Sequence, residues 1–214
     1  MLLDGLNEAD RREIIRVAVR RRFKRGEVLF HEGDPGDTLH LIDKGHVLVR
    51  VSTPQGDQAL LAVLRPGESL GEGALLAPDS RRTATATAID AVETRALTRA
   101  TFETLRDRQP TVERLLTSIL AAQVRRLSGL VTDGLYYPAD SRVLRRVVDL
   151  AEVFADGAEG ATVPLSQEDL ATAAGTTRST ANKALQQAVA DGLVTLGRGK
   201  ITVPSITALR RTIR

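Results

Sequence analysis

The chain contains no cysteine. Disulfides, thiol nucleophiles, thiolate zinc sites and cysteine-held iron–sulfur clusters are therefore all excluded. Tryptophan is absent, methionine occurs once, and aromatic residues make up only 3% of the 214 positions, so aliphatic and small side chains must build the core. The three histidines are His31, His40 and His46. They fall on or beside predicted strands but lack the closely spaced His-x-His and nearby Glu of a cupin metal site. A cupin-like metalloenzyme is thus the remote alternative, and structural histidines with no metal site are expected. No Ser-His-Asp set or paired-carboxylate constellation is visible, so no enzymatic activity is expected. No apolar run approaches the roughly 18 to 20 residues that cross a bilayer. The opening MLLDGLNEAD has neither a basic nor an apolar leader region. A cytoplasmic chain without a membrane partner is expected.

What is present is a globular composition of 42% apolar and 27% charged residues with a net charge of +3, long enough for two ordinary domains. The charge is unevenly placed. From Ala161 to Arg214 there are seven Lys or Arg against three acids, a basic tail of the kind that meets nucleic acid.

The pattern along the chain changes twice. Residues 7 to 19 predict a helix with Asn7 as cap, Asp10 in the first turn and an apolar side of Ile14, Ile15 and Val19. From Phe23 to about Leu97 come short β-type runs, at 28–30, 39–42, 46–51, 59–64 and 83–89. Glycines at 26, 33, 36, 45, 56, 67 and 71 punctuate them. Many short strands at this rhythm predict a sandwich, jelly roll or small barrel. The basic run 20–25 reads as the charged start of a strand. Between Val112 and Val131 the period becomes helical. Leu116, Leu120, Gln123, Leu127 and Leu130 form a coiled-coil seam, and Val112, Leu115, Ile119 and Ala122 a second stripe. One face can pack on the β block and the other on a partner helix. Gly134 and Pro138 bracket a hinge, after which Val143, Leu144, Val147, Val148, Ala151 and Phe154 mark a further amphipathic helix.

The last block is the most explicit. Ser166 with Asp169 caps a short helix closed by Gly175, Thr176 or Thr177 caps a second that stops at Gly192, and LVTLGRGKITV reads as a hairpin. Two capped helices around a glycine turn, followed by a hairpin, predict a winged helix-turn-helix. Its second helix would present Thr177, Arg178, Ser179, Asn182 and Lys183 to the major groove, with Arg198 and Lys200 on phosphates. GRGKIT, at 197–202, is no phosphate-binding loop. It lacks the upstream glycine, has Ile201 where a hydroxyl belongs, and sits in a hairpin.

Within the β block, LGEGALLAPDSRRTATA places a short helical turn, Glu72 to Leu76, after Gly71 and an arginine, Arg82, ten residues beyond Glu72. A helix start with free N–H groups and a nearby arginine suits an anionic phosphate. Glu72 suits a ribose hydroxyl, and Gly71 and Ala74 permit close backbone approach. GEGALL followed by R-T-A at 82–84 resembles the phosphate-binding cassette of cyclic-nucleotide-binding domains. LSQEDLATAAGTTRSTANKAL is similar to the DNA-reading motif of the same family, and the order of parts resembles the CRP/FNR superfamily of transcription regulators over nearly the whole chain.

The resemblance implies an α+β protein. An antiparallel β-roll or jelly-roll sensor domain spans 1–109, a dimerisation helix 110–133, a hinge 134–138 and a winged helix-turn-helix domain 139–214. It implies that Gly71, Glu72, Arg82 and Thr83 contact ribose and cyclic phosphate, with Gly73 at a cassette position that is apolar elsewhere in the family and Leu61 on a strand lining the base pocket. Leu130 and Val131 stand where cAMP receptors carry a Thr-Ser pair that reads adenine across the dimer. A one-turn shift would supply a hydroxyl from Ser128 or Thr132. Ser179 replaces the family's usual acid and implies a different operator. The implied function is allosteric, dimeric, sequence-specific binding of double-stranded DNA at a pseudopalindromic operator, with RNA polymerase as a further partner. The implied effector is cAMP or a related cyclic nucleotide. Cyclic di-GMP or constitutive binding is the alternative.

Overall fold

A computed structural model describes residues 8–53, 56–76, 79–108 and 111–213. The Asn7 cap and the Asp10 side chain lie outside them. The chain divides into two compact units, residues 1–51 with 64–128 and residues 52–63 with 129–214.

The strand-rich part begins with α1 (Glu8–Val17), β1 (Val19–Phe23), β2 (Val28–Phe30), β3 (Thr38–Lys44), β4 (Val47–Ser52), β5 (Gln58–Leu64) and β6 (Ser69–Leu70). It continues through α2 (Gly73–Leu76), β7 (Thr85–Ala88), β8 (Val92–Thr98), α3 (Arg99–Arg108) and α4 (Thr111–Tyr136). Two four-stranded sheets, ordered β1-β8-β3-β6 and β2-β7-β4-β5, form the expected antiparallel β-roll. The Thr-Ala tract supplies β7, with Ala86 and Ala88 buried and Thr85 and Thr87 half-buried, the alternation a period-two strand requires. Leu39, Leu41 and Leu97 from the first sheet join Ile14, Leu75, Phe102, Leu105, Val112, Leu115 and Ile119 from the four helices in one buried cluster.

Three boundaries differ from the sequence reading. The first helix stops at Val17, because Val19–Phe23 pairs along β8 and sets Arg20 and Arg22 on either side of Glu93. Residues 99–108 form α3, which alternates too little to stand out in sequence but buries Phe102 and Leu105. Helix α4 runs through Gly134 to Tyr136, and Pro138 is the N-cap of the next helix. A glycine in a helix interior costs about 1 kcal/mol relative to alanine and does not by itself end the helix.

Of the two α4 stripes, Val112, Leu115 and Ile119 are buried while Ala122 is exposed. Leu116, Leu120, Gln123 and Leu130 of the seam are half-buried. Val124, Leu127, Val131 and Leu135 are 45–72% exposed along one side of the helix.

The second unit contains α5 (Ala139–Ala155), β9 (Ala161–Val163), α6 (Gln167–Ala173), α7 (Arg178–Ala190), β10 (Thr195–Gly197), β11 (Lys200–Val203) and α8 (Ile206–Thr212). Strand β9 was not foreseen; it pairs with β11 and turns the expected hairpin into a three-stranded sheet ordered β10-β11-β9. Buried Val143, Val147 and Ala151 of α5 face a helix whose buried side is mostly alanine, Ala181, Ala184 and Ala188 around Leu185, which allows close approach. Asp133, near the end of α4 and 6% exposed, receives Arg145 at 3.0 Å and Arg146 at 2.8 Å from α5. Arg145 also lies over the Tyr137 ring, 4.2 Å from its centroid. Removing one member of a buried ion cluster leaves the others desolvated and uncompensated. Asp133→Ala is therefore expected to lower the unfolding free energy of the protein by about 3 kcal/mol. Urea unfolding monitored by circular dichroism checks this, and a change below about 0.5 kcal/mol would contradict it.

Candidate ligand cassette and nucleic-acid interface

Arg82 is the centre of the cassette. Its backbone is fixed by the turn after β2, since its N–H donates to the Asp34 carbonyl at 2.9 Å and its carbonyl accepts from Gly33 N–H at 2.8 Å. Its side chain is 8% exposed. Nη1 donates to the Thr38 carbonyl at 2.8 Å and more weakly to the Gly71 carbonyl at 3.4 Å, while the guanidinium lies over Phe30, 4.2 Å from the ring centroid. Nε is buried and has no hydrogen-bond partner among the described residues. Burial pushes the Arg82 pKa down, opposed by the charges of Asp37, Asp34 and Glu72. A buried guanidinium with an unused donor is suited to an anion that brings charge and acceptor together.

Gly71 is required here twice. Its φ of +82° is a left-handed conformation, and a Cβ would collide with Arg82 Nη1 and the Thr38 carbonyl. Helix α2 begins at Gly73, one residue later than expected, and is only four residues long. The N–H groups of Ala74 and Leu75 donate to the carbonyls of Gly71 and Glu72. Gly71, Glu72, Ala74 and Arg82 are brought together; Thr83 is exposed on the bend after Arg82. Leu61 is half-buried on β5, and Ser128 and Thr132 are exposed on α4.

Sequence reasoning missed Phe30, Thr38 and Arg99. Arg99 donates to the Ala74 carbonyl at 2.6 Å and the Gly36 carbonyl at 3.3 Å, tying α2 to the 33–37 turn. The double-glycine stretch EGDPGD was the available signal, because it marks a turn folded tightly enough to present carbonyls. The His40 ring centroid lies 6.1 Å from those of Phe30 and Phe23, and Nδ1 is 3.1 Å from Thr94 Oγ1. Burial first, then the charges of Arg82 and Arg21, push the His40 pKa down to about 4.

In the second unit the caps expected from sequence are formed. Ser166 and Asp169 make a capping box on α6, and Thr177 Oγ1 accepts from Thr180 N–H to cap α7. The turn between them is clamped by Arg142, which donates to the carbonyls of Ala174, Gly175 and Tyr137 at 2.9, 3.0 and 2.9 Å. Helix α7 buries its alanine side and exposes Arg178, Ser179, Asn182 and Lys183. Gln186 and Gln187 extend that face and were missed; they follow Ser179, Asn182 and Lys183 at helical spacings of three, four and seven. Arg178 Nε lies 3.7 Å from Glu168 of α6, both exposed. Arg198 and Lys200 flank the turn of the β10–β11 hairpin and are exposed. Among the described residues Lys183, Arg198 and Lys200 make no ion pair.

Residues 20–109 match the family described as cyclic nucleotide-binding domain, and residues 141–212 the family described as Crp-like helix-turn-helix domain. The chain belongs to the CRP/FNR family of transcription regulators. The CRP/FNR family consists of regulators, not enzymes. The chain is 30% identical over 195 residues to the CRP-like cAMP-activated global transcriptional regulator of Mycobacterium tuberculosis, covering 90% of this chain and 87% of the relative. It is 33% identical over 185 residues to the cyclic AMP receptor protein of Thermus thermophilus, covering 86% and 83%. The solved structure of the c-di-GMP responsive global regulator CLP of Xanthomonas campestris shares the fold, with a TM-score of 0.76 at 21% identity over 92% of this chain and 99% of that one. This CRP/FNR regulator is therefore a DNA-binding protein with a cyclic-nucleotide-binding domain, and among the described residues no helix is long and apolar enough to cross a membrane.

Two outcomes are expected of this CRP/FNR chain. The His40 imidazole is held neutral in the folded state, with its pKa near 4 against about 6.5 unfolded, so the unfolded chain binds the proton more readily between those values. Stability is complete above about pH 6.5 and falls by about 3 kcal/mol as the pH drops to about 4. His40→Gln removes that slope, as unfolding at several pH values will show. An identical slope in the variant would contradict the assignment. Separately, Thr177→Ala is expected to cost about 1 kcal/mol by removing the α7 cap, whereas Thr177→Ser leaves stability nearly unchanged.

Proposed function

We propose that the chain is a cytoplasmic, homodimeric regulator whose affinity for a pseudopalindromic DNA site is set by a cyclic nucleotide, cAMP, held in the 71–83 cassette. The observation that carries this reading is the buried Arg82 guanidinium, whose Nη1 meets the Thr38 and Gly71 carbonyls while its Nε has no partner among the described residues. The names of the M. tuberculosis and T. thermophilus relatives favour cAMP over other effectors.

In this reading residues 1–109 are the sensor, 110–133 the dimerisation helix, 134–138 the hinge and 139–214 the DNA reader. Arg82 and Thr83 hold the cyclic phosphate and Glu72 a ribose hydroxyl. Gly71, Gly73 and Ala74 let the backbone come close. Leu61 lines the base, and Ser128 or Thr132 supplies the hydroxyl that meets its polar edge. The exposed Val124, Leu127, Val131 and Leu135 meet the same residues of a second copy, which removes an apolar stripe from water. Two recognition helices then sit about 34 Å apart, in successive major grooves. Arg178 pairs with guanine, Asn182 with adenine, Ser179 and Lys183 with base edges or phosphate, from a helix capped by Thr177. Arg198 and Lys200 hold phosphates, and the bound dimer offers its surface to RNA polymerase. A coupling of about 1–3 kcal/mol between the two sites is sufficient for regulation.

Calorimetric titration with cAMP tests the ligand half: wild type binds, and Arg82→Ala loses about 100-fold in affinity, the scale of removing a buried charged donor. Equal affinity in the variant, or binding of cyclic di-GMP instead of cAMP, would overturn it. Selection from random duplex DNA tests the other half. Arg178→Ala is expected to relax preference at one base pair by about 1–3 kcal/mol, whereas Lys200→Ala weakens all sequences together. Unchanged selectivity in Arg178→Ala would overturn the assignment of α7 as the reading helix.

A further inference from the structure

Three aromatic rings from three strands of the roll lie together: Phe23 on β1 and Phe30 on β2, each with its centroid 6.1 Å from that of His40 on β3. In a chain with 3% aromatic residues this grouping is not an average sample of the core. Phe30 is the member that touches Arg82, face on at 4.2 Å from the guanidinium carbon to the ring centroid. The same short segment holds both ends of that arginine. Gly33 and Asp34 grip its backbone, and Phe30, three residues earlier, supports its side chain. The segment is itself braced, with His31 N–H donating to Asp34 Oδ2 at 2.8 Å and Arg81 Nη1 donating to the Gly33 carbonyl at 2.8 Å.

We infer that Phe30 is a positioning residue for ligand binding: its ring face fixes the plane of the Arg82 guanidinium, whose Nε has no partner among the described residues, and so sets the affinity for the anion. The inference rests on the reading of the 71–83 cassette as the phosphate site. Three arguments lead to it. First, one face of a guanidinium has no hydrogen-bonding capacity, and a π face is a surface that stabilises buried cationic charge without competing for its N–H donors. Second, Nη1 alone meets the Thr38 and Gly71 carbonyls. Those bonds fix a point but leave rotation about it, which the ring removes. Third, an aliphatic residue at position 30 would preserve the apolar packing and lose the attraction, so the effect of the ring is separable from the effect of volume.

The experiment compares wild type, Phe30→Leu and Phe30→Tyr, with Arg82→Ala as the control for the site itself. Each is titrated calorimetrically with cAMP, melted thermally, and examined by proton–nitrogen NMR at the Arg82 Nε–Hε resonance, assigned by its loss in Arg82→Ala. Phe30→Leu is expected to weaken cAMP binding about 5- to 10-fold, the range of a partly desolvated cation–π contact. Phe30→Tyr, which restores the ring, stays within about 2-fold of wild type at the same melting temperature as Phe30→Leu. The Hε resonance, shifted upfield by the ring in wild type, moves downfield in Phe30→Leu and returns in Phe30→Tyr. Equal affinities in wild type and Phe30→Leu, or a tyrosine variant as weak as the leucine one, would overturn the inference. If wild type binds no cAMP, the nucleotide reading of the cassette fails; the Hε resonance then decides the positioning claim alone, and an unchanged shift in Phe30→Leu overturns it.

Discussion

The sensor unit is organised around a cation that the fold has taken out of water. Arg82 is 8% exposed, yet two backbone carbonyls and one ring face are its described partners. An arginine keeps its charge at any ordinary pH, so the cost of burying it is met by neighbours or by a ligand. The features around it follow from that constraint. Position 71 has to be glycine because the guanidinium occupies the space of a Cβ. The 33–37 turn has to fold back because its carbonyls and amides hold the arginine and Arg99. His40, beside Phe30, stays neutral first because it is buried and then because a second cation there would face the first.

The DNA-binding unit meets a different requirement, that of aiming an exposed helix without any functional side chain being buried. Caps and clamps do this work. Ser166, Asp169 and Thr177 fix where α6 and α7 begin, and Arg142 ties the turn between them to the start of α5. The alanine side of α7 lets it lie close to α5, leaving Arg178, Ser179, Asn182, Lys183, Gln186 and Gln187 exposed on the opposite side. Asp133, bound by Arg145 and Arg146, fastens the last turns of α4 to the same body.

Elements defined by short-range chemistry were legible in the sequence. The caps at Ser166, Asp169 and Thr177, the helix ends at Gly175 and Gly192, the hairpin at 195–203 and the period-two Thr-Ala strand each depend on neighbours within a few positions, and the structure has them where the pattern placed them, whereas Gly134 does not end α4. The exposed polar face of α7 was legible for the same reason, since helical spacing alone links Ser179 to Lys183 and would have reached Gln186. What was not legible depends on pairing across long separations. Strand β9 exists because residues near 161 lie beside residues near 202. Phe30 meets Arg82 and Thr38 meets Arg82 across dozens of positions, with no local signature in either. The shortness of α2 was not legible either, nor that its Ala74 and Leu75 amides donate to the carbonyls of Gly71 and Glu72.

The account stands or falls on where the negative charge of a ligand is met. A crystal structure of the protein grown with cAMP measures this directly: a phosphate oxygen within hydrogen-bonding distance of Arg82 Nε, with the Phe30 ring still beneath the guanidinium, is the predicted result. A nucleotide seated elsewhere, with Arg82 Nε still unpaired, would contradict it.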